Sequence, residues 1–268
     1  MSSLYAGKTI VLTGASVGIG RALALRLAAH KPRLVLAARD ERQLQEVAEE
    51  CRVRGAEALV ARTDVGVQEE CRTLVERALA RFDGIDALVL NAGMSMWARF
   101  DEVADLSVFE SLMRVNYLGC VWLTHYALPE LKRSRGQIVA VASIAGLTGV
   151  PTRSGYAASK HALIGFCDSL RIELQGTGVD VTVVAPDFVV SEIHRRSLGK
   201  DGQPLGQSPM QEAKIMTTEE CAAMIETAMA GRKRLVIGSL RGRLGRFVRL
   251  VAPGLIDGVA RRAVERGR

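Results

Sequence analysis

Tyr156 and Lys160 are four residues apart in the run Tyr156-Ala157-Ala158-Ser159-Lys160, a spacing that sets both on one face of a helix. A phenol ordinarily titrates near ~10 and is a poor acid or base at neutral pH. An ammonium one helical turn away favours the phenolate and turns the pair into a tunable proton donor and acceptor. Ser143 ends an apolar run, residues 136–142, and a loop separates it from the tyrosine. From a strand end its hydroxyl can orient a substrate oxygen towards the phenol. Hydroxyl, phenol and cation together compose a proton-transfer site. The same tyrosine–lysine spacing also fits an ordinary exposed helix face, so the surrounding elements must decide.

Those elements alternate. Residues 8–13, 33–38, 56–61, 86–90, 136–142, 179–185 and 234–238 are short apolar, β-branched runs and read as strands. Helical patterns over 21–29, 41–54, 67–82, 107–132, 161–174 and 219–230 lie between them. The alternation predicts an α/β fold. Its core is a doubly wound, mostly parallel sheet of about seven strands, with helices on both faces and ligands at the strands' C-terminal ends.

Between the first strand and the first helix lies Gly14-Ala15-Ser16-Val17-Gly18-Ile19-Gly20. Glycines let backbone approach a pyrophosphate, and the free N–H groups of a helix start point at it. Gly14, Ser16, Val17, Gly18, Ile19 and Gly20 are therefore candidate dinucleotide-binding residues. A site preferring NAD carries an acidic residue at the end of the second strand, for the ribose 2′-hydroxyl. Here Ala38 is followed by Arg39, with Asp40 one place further on. The guanidinium favours a 2′-phosphate, hence NADP. Asp64 and Val65, at the end of the third strand, are placed to receive an adenine amino group.

Composition narrows the classes. The 268 residues suffice for one large α/β domain, and hydrophobic residues make up an ordinary 48%. The N-terminal run lacks a signal-peptide pattern, and no stretch is long and apolar enough to span a membrane. Five cysteines without a C-x-x-C read as free thiols in a reducing cytoplasm, and four scattered histidines give no metal-ligand spacing. The formal charge of +7 is uneven: residues 232–268 hold 11 Lys/Arg and 2 Asp/Glu, a net +9, which leaves the rest at −2. The high pI thus belongs to a tail, which argues against nucleic acid as a partner of the domain.

Thr13-Gly14-Ala15-Ser16-Val17-Gly18-Ile19-Gly20, Asp64, Asn91-Ala92-Gly93, Asn116, Ser143 and Tyr156-x3-Lys160, in this order, resemble the short-chain dehydrogenase/reductase family in its common single-domain form. The resemblance spans about residues 6–238. It implies a Rossmann-type catalytic domain that interconverts a carbonyl and an alcohol by hydride transfer with NADP(H). In that scheme Tyr156 donates or accepts the proton, Ser143 holds the substrate oxygen, and Lys160 bonds the nicotinamide ribose. Asn116 bends its helix and anchors a water relay to the lysine. Asn91, Ala92, Gly93, Tyr156, Lys160, Pro186, Val189 and Ser191 join the cofactor contacts. The family pattern of Pro-Gly after the sixth strand is replaced by Pro186-Asp187, where an aspartate would take up a glycine-like turn only with some strain.

The apolar loop residues Met94, Met96, Ile144, Leu147 and Phe188 are expected to wall a lipophilic substrate. Residues from 187 to about 216, polar and rich in Gly and Pro, read as a lid or a disordered loop. Thr217 or Thr218 is placed to cap the following helix, without a capping box. Residues 239–268 form a basic extension in which Leu244, Phe247, Val248 and Val251 recur at helical spacing, opposite Arg241, Arg243, Arg246 and Arg249. Packing of this apolar face on the domain or on a second subunit (a homo-dimer or homo-tetramer) is the first expectation. Peripheral contact with a membrane is the second. A dinucleotide-binding sensor or scaffold without turnover is the alternative to an enzyme; the intact set Asn116, Ser143, Tyr156 and Lys160 argues against it. The expected location is cytoplasmic, with a peripheral position at a membrane as the second expectation.

Overall fold

Neighbouring residues of the first two strands part to opposite faces of the sheet. In β1 (Thr9–Thr13), Ile10 and Leu12 enter one core cluster and Val11 the other; in β2 (Arg33–Ala38), Leu34 and Leu36 go with the first and Val35 and Ala37 with the second. The period of two is that of a strand buried on both faces, which is why these runs are apolar throughout. β3 (Glu57–Arg62), β4 (Ala87–Leu90), β5 (Gln137–Val141), β6 (Asp180–Ala185) and β7 (Leu235–Ile237) complete a seven-stranded sheet. Its order is β3-β2-β1-β4-β5-β6-β7 and every pairing is parallel. The computed structural model describes residues 4–209 and 215–266; residues 210–214 of the expected lid and 267–268 of the extension lie outside the described residues.

One cluster is closed by α1 (Gly18–Ala28), α2 (Glu41–Val53) and α7 (Thr218–Ala230), the other by α3 (Gln68–Phe82), α5 (Gly119–Ser134) and α6 (Ser154–Glu173). The order of connection reverses between β1 and β4, so the loops after these adjacent strands open a crevice at the sheet's C-terminal edge.

Three local features of the helices depart from the sequence reading. The helix expected over 107–132 is divided: α4 (Ser107–Met113) and α5 are joined by a π-helical turn, Arg114–Leu118, centred on Asn116. Such a turn widens the helix and is a frequent mark of a functional site. α6 begins at Ser154, so Tyr156 and Lys160 sit in its first two turns. Thr217 and Glu220 form a full capping box at the start of α7, contrary to expectation. Thr217 lies outside the helix as its N-cap, and that places Glu220 at the required third position.

The segment after β6 is folded down and packed in its described parts. Leu198 pairs with the loop after β4, accepting from Trp97 N at 2.8 Å and donating to Ser95 O at 2.9 Å. Val189 bridges to Met216.

The basic extension forms α8 (Leu240–Val251) and α9 (Pro253–Arg266), and the face that α8 turns to the domain is not the apolar one. Leu240, Leu244, Phe247 and Val251 are 62–80% exposed. The domain is met by glycine and arginine instead. A Cβ on Gly242 would lie 2.9 Å from Ile237 and 3.1 Å from Ile144. Arg241 reaches Asp187, Arg243 reaches Ile237 O, and Arg249 reaches Leu147 O and His161.

Candidate active site

The floor of the crevice is the glycine turn. Gly14 (φ 66°) and Gly18 (φ 56°) adopt left-handed backbone. A Cβ on Gly14 would meet Ala92 and Asn91 at 2.9 Å, and one on Gly20 would lie 2.0 Å from Gly14 O. No other residue type allows so tight a passage from β1 into α1. Val17 starts α1 without a side-chain cap, which leaves its first N–H groups available to an anion. The chain therefore fits a dinucleotide pyrophosphate at Gly14–Gly20.

Thr13 locks this turn to the end of β4. Its Oγ1 accepts from Asn91 N and Ala92 N, both at 3.0 Å, and donates to Val89 O at 3.2 Å. The Asn91 side chain donates to Thr13 O at 2.9 Å. Asp64 turns its Oδ1 onto Gly66 N at 2.8 Å, and Val65 is buried against the start of α5. Arg39 is exposed at the end of β2, and Asp40 accepts from Gln43 N at 3.0 Å as the N-cap of α2. The carboxylate is thus committed to the helix, and the exposed guanidinium beside it is not.

The chemistry-bearing residues converge on one cavity of about 140 Å³. Ser143, Tyr156 and Lys160 line it together with Asn91, Gly93, Pro186, Val189 and Ser191. Lys160 is 4% exposed; its Nζ donates to Val141 O at 3.0 Å and lies 5.9 Å from the centre of the Tyr156 ring. A carbonyl and a phenol face are what hold this buried ammonium. Ser143 caps a short 3₁₀ turn by accepting from Ala145 N at 3.2 Å, which fixes its side chain at the end of β5.

Asn116 is fully buried and bonds like a strand neighbour to Met94. Its Oδ1 accepts from Met94 N and its Nδ2 donates to Met94 O, both at 2.9 Å. The same Nδ2 donates to Ser159 Oγ at 2.9 Å, and Ser159 donates to Tyr156 O at 2.8 Å. The π turn thereby holds both the loop after β4 and the first turn of α6. A Cβ on Gly93 would lie 3.2 Å from Asn116 Oδ1 and 3.6 Å from Lys160 Nζ, so glycine there keeps the two polar groups close.

Of the expected substrate walls, Ile144 and Phe188 line the cavity. Met94, Met96 and Leu147 do not; Met96 is wholly buried in a separate core cluster with Leu112 and Tyr156, because its loop folds inward under Leu198. Asp187 carries no left-handed strain: it is not among the residues with positive φ. Its carboxylate instead accepts from Ser239 Oγ at 2.7 Å, Arg241 Nη2 at 3.1 Å and Phe188 N at 3.0 Å. Thr13, Ser159, Arg153 and His194 were not singled out by sequence reasoning. Thr13 and Ser159 lie within the quoted motifs, a signal that was available. Arg153 and His194 come together only through the folded segment after β6.

The arrangement can hold a dinucleotide along Gly14–Gly20 and place a proton donor, a hydroxyl and a fixed cation around one small cavity. Residues 8–201 match the short chain dehydrogenase family model. The chain is 36% identical over 262 residues to 11-beta-hydroxysteroid dehydrogenase A of Sesamum indicum, covering 96% of this chain and 75% of that protein. It is 38% identical over 231 residues to 11-beta-hydroxysteroid dehydrogenase-like 4A of Arabidopsis thaliana, covering 86% and 76%. Among solved structures, a short chain dehydrogenase/reductase from Burkholderia phymatum in complex with NAD superposes with a TM-score of 0.83 at 26% identity, covering 94% of this chain and 95% of that one. An alcohol dehydrogenase from Thermococcus sibiricus complexed with 5-hydroxy-NADP gives a TM-score of 0.73 at 26% identity, covering 86% and 95%. Motif order, sheet order, site geometry and these matches agree: the chain belongs to the short-chain dehydrogenase/reductase family of oxidoreductases.

Proposed function

We propose that the protein interconverts a carbonyl and an alcohol on a mainly apolar substrate, using NADP(H). Ser143, Tyr156 and Lys160 lining a single cavity beside the glycine turn is the observation that carries this reading. Bound along Gly14–Gly20, a nicotinamide dinucleotide supplies or takes the hydride. The chain's own residues do the rest. Ser143 orients the substrate oxygen, and Tyr156 gives it a proton in reduction or removes one in oxidation. Lys160 stabilises the phenolate that reduction leaves behind. Asn116 keeps Met94 and the first turn of α6 in place. Ile144, Val150, Phe188 and Ile193 exclude water and favour an apolar substrate body. Arg39 presented beside a capped Asp40 supports NADP over NAD.

A panel of lipophilic ketones, aldehydes and alcohols, assayed with both cofactors by nicotinamide fluorescence, tests the reading. Tyr156→Phe is expected to abolish turnover while NADPH still binds. Undiminished turnover in that variant would falsify the assignment of the proton donor. Cofactor binding without turnover of any of these compounds would favour the sensor alternative.

The extension supports a second role for the same molecule. Leu240, Leu244, Phe247 and Val251 repeat along one side of α8 and are exposed, within an extension of net charge +6 (8 arginines against 2 acidic residues). The occupant that this face and charge fit is an anionic lipid surface. Flotation of the full chain with vesicles containing phosphatidylserine, lost in Leu244→Asp/Phe247→Asp, is the expected result. No flotation, with a change of oligomeric state in that variant, would make the face an interface between two copies of the chain.

A further inference from the structure

Arg153 is the N-cap residue of α6, three positions before Tyr156, and it lines the same cavity. It is 4% exposed. Its guanidinium carbon lies 4.8 Å from the Trp97 ring centre, 5.1 Å from that of Tyr156 and 5.4 Å from that of Phe188. Three aromatic faces thus surround one cation.

Its polar partners are few. Nη2 faces His194 Nδ1 at 3.4 Å, and His194 Nε2 lies 3.0 Å from Val189 O. A carbonyl only accepts, so Nε2 carries the hydrogen and Nδ1 is left as an acceptor for the guanidinium. An imidazole carries no negative charge in either state, so His194 adds no countercharge. Among the described residues Arg153 Nε has no hydrogen-bond partner and no carboxylate lies within 4.0 Å of the guanidinium. Burial draws its pKa below the ordinary arginine value, and the Tyr156 oxygen opposes that shift. Ring faces offset part of the cost of burying a cation but do not use its N–H donors.

We propose that Arg153 is an anion receptor within the substrate cavity, so that the physiological substrate carries a carboxylate as well as the reacting carbonyl or alcohol. The proposal rests on the carbonyl–alcohol reading above and adds the polar end of the substrate, which that reading leaves open. The planar guanidinium matches a carboxylate through two parallel N–H···O bonds. The reacting oxygen lies at Ser143 and Tyr156, and the carboxylate at Arg153. Ile144, Val150, Phe188 and Ile193 cover the apolar body between them. In reduction an oxo acid becomes a hydroxy acid: the carbon takes hydride from NADPH, the oxygen takes a proton from Tyr156, and the carboxylate is unchanged.

The test separates binding from chemistry. 4-Phenylbutanoate has a carboxylate and no carbonyl to reduce, and its methyl ester has neither charge nor ketone. In the full chain loaded with NADP, the acid is expected to bind at least about 10-fold more tightly than the ester, as a charge-assisted pair requires. Arg153→Met is expected to bring that ratio close to one, and Arg153→Lys to keep part of it. Retained cofactor binding and a native circular dichroism spectrum certify both variants. In turnover, 4-oxo-4-phenylbutanoate is expected to be preferred over its methyl ester by a similar ratio, lost in Arg153→Met. Equal binding of acid and ester by the unmodified protein overturns the proposal, as does an acid preference that survives Arg153→Met. An equal loss for both substrates, with a displaced pH–rate profile, also overturns it by assigning Arg153 to the Tyr156 phenol. Tight acid binding with no turnover of any carbonyl would instead overturn the oxidoreductase reading and leave the anion receptor standing.

Discussion

Asp187 and Arg241 join the catalytic crevice to the C-terminal extension. The carboxylate accepts from Arg241 Nη2 at 3.1 Å and from Ser239 Oγ at 2.7 Å, while Asp187 itself lines the cavity. Ser239 is the N-cap of α8, its Oγ accepting from Gly242 N at 3.0 Å. An aspartate at this place, where the family pattern has glycine, thus organises the start of the extension.

The two contacts are not equal. The Arg241 side chain is 75% exposed and that of Asp187 13%. The ion pair is therefore solvent-screened and contributes under ~1 kcal/mol, whereas the part-buried Ser239–carboxylate bond contributes more, about 1.5 kcal/mol. Arg241→Ala is expected to leave the melting temperature nearly unchanged, while Asp187→Ala frees the start of α8 and speeds tryptic cleavage within residues 241–249. Equal cleavage of Asp187→Ala and the unmodified chain would mean that the packing of Gly242 on Ile144 and Ile237 holds the helix by itself.

Asn116 makes three side-chain hydrogen bonds inside the domain, two to Met94 and one to Ser159. Replacement by alanine leaves the Met94 N–H and C=O without partners. At about 1 kcal/mol for each bond, Asn116→Ala should destabilise by roughly 2–4 kcal/mol, a fall in melting temperature on the order of 10 °C. Turnover should fall as well, because Ser159 and the first turn of α6 lose their tie. Asn116→Asp keeps the acceptor for Met94 N but not the donors, and should lie between the two. A thermal melt of Asn116→Ala indistinguishable from the unmodified chain would remove the structural part of this role.

Legibility in the sequence followed the range of the interactions. The strands, the glycine turn and the Tyr156–Lys160 spacing are local patterns, and a parallel, doubly wound sheet follows from the alternation of strands and helices. Arg153 gave no such signal. As a charge opening a helix it reads as solvated, and Trp97, Phe188 and His194, all dozens of residues away in the chain, help to bury it. Asn116 was visible as a polar residue in a helix, but Met94, its partner, was not. The extension's two faces could be read from helical spacing. Which one meets the domain could not, since that depends on Ile144 and Ile237 offering a surface that only Gly242 fits.

The five cysteines are all buried, and burial alone makes ionisation costly. Desolvation pushes Cys51 and Cys120 up to about 11 and Cys71, Cys167 and Cys221 up to about 12. Because the folded state holds these protons more tightly than the unfolded chain, the contribution is complete below the ordinary thiol range. It is lost as pH rises towards 11 and 12. Stability should therefore be insensitive to thiol ionisation up to about pH 9 and fall above it. Ellman's reagent at pH ~8 should find no thiol in the native protein and all five in denaturant. A rapidly titrating native thiol would show that one of these sites opens.

Arg39 stands exposed at the end of β2, and Asp40 beside it is held by Gln43 N as the cap of α2. A ribose 2′-phosphate placed there meets a guanidinium, whereas a 2′-hydroxyl meets no free carboxylate. A charge-assisted contact of this kind is worth about 1.5–3 kcal/mol, or roughly 10- to 100-fold in affinity. Arg39→Ala should weaken NADPH by about that factor and NADH much less, and Arg39→Asp should reverse the preference. The contrast should shrink at high salt, since an exposed pair is screened. Fluorescence titration of both cofactors against the three proteins measures it, and an equal loss of NADPH and NADH in Arg39→Ala would assign the 2′-phosphate to another residue.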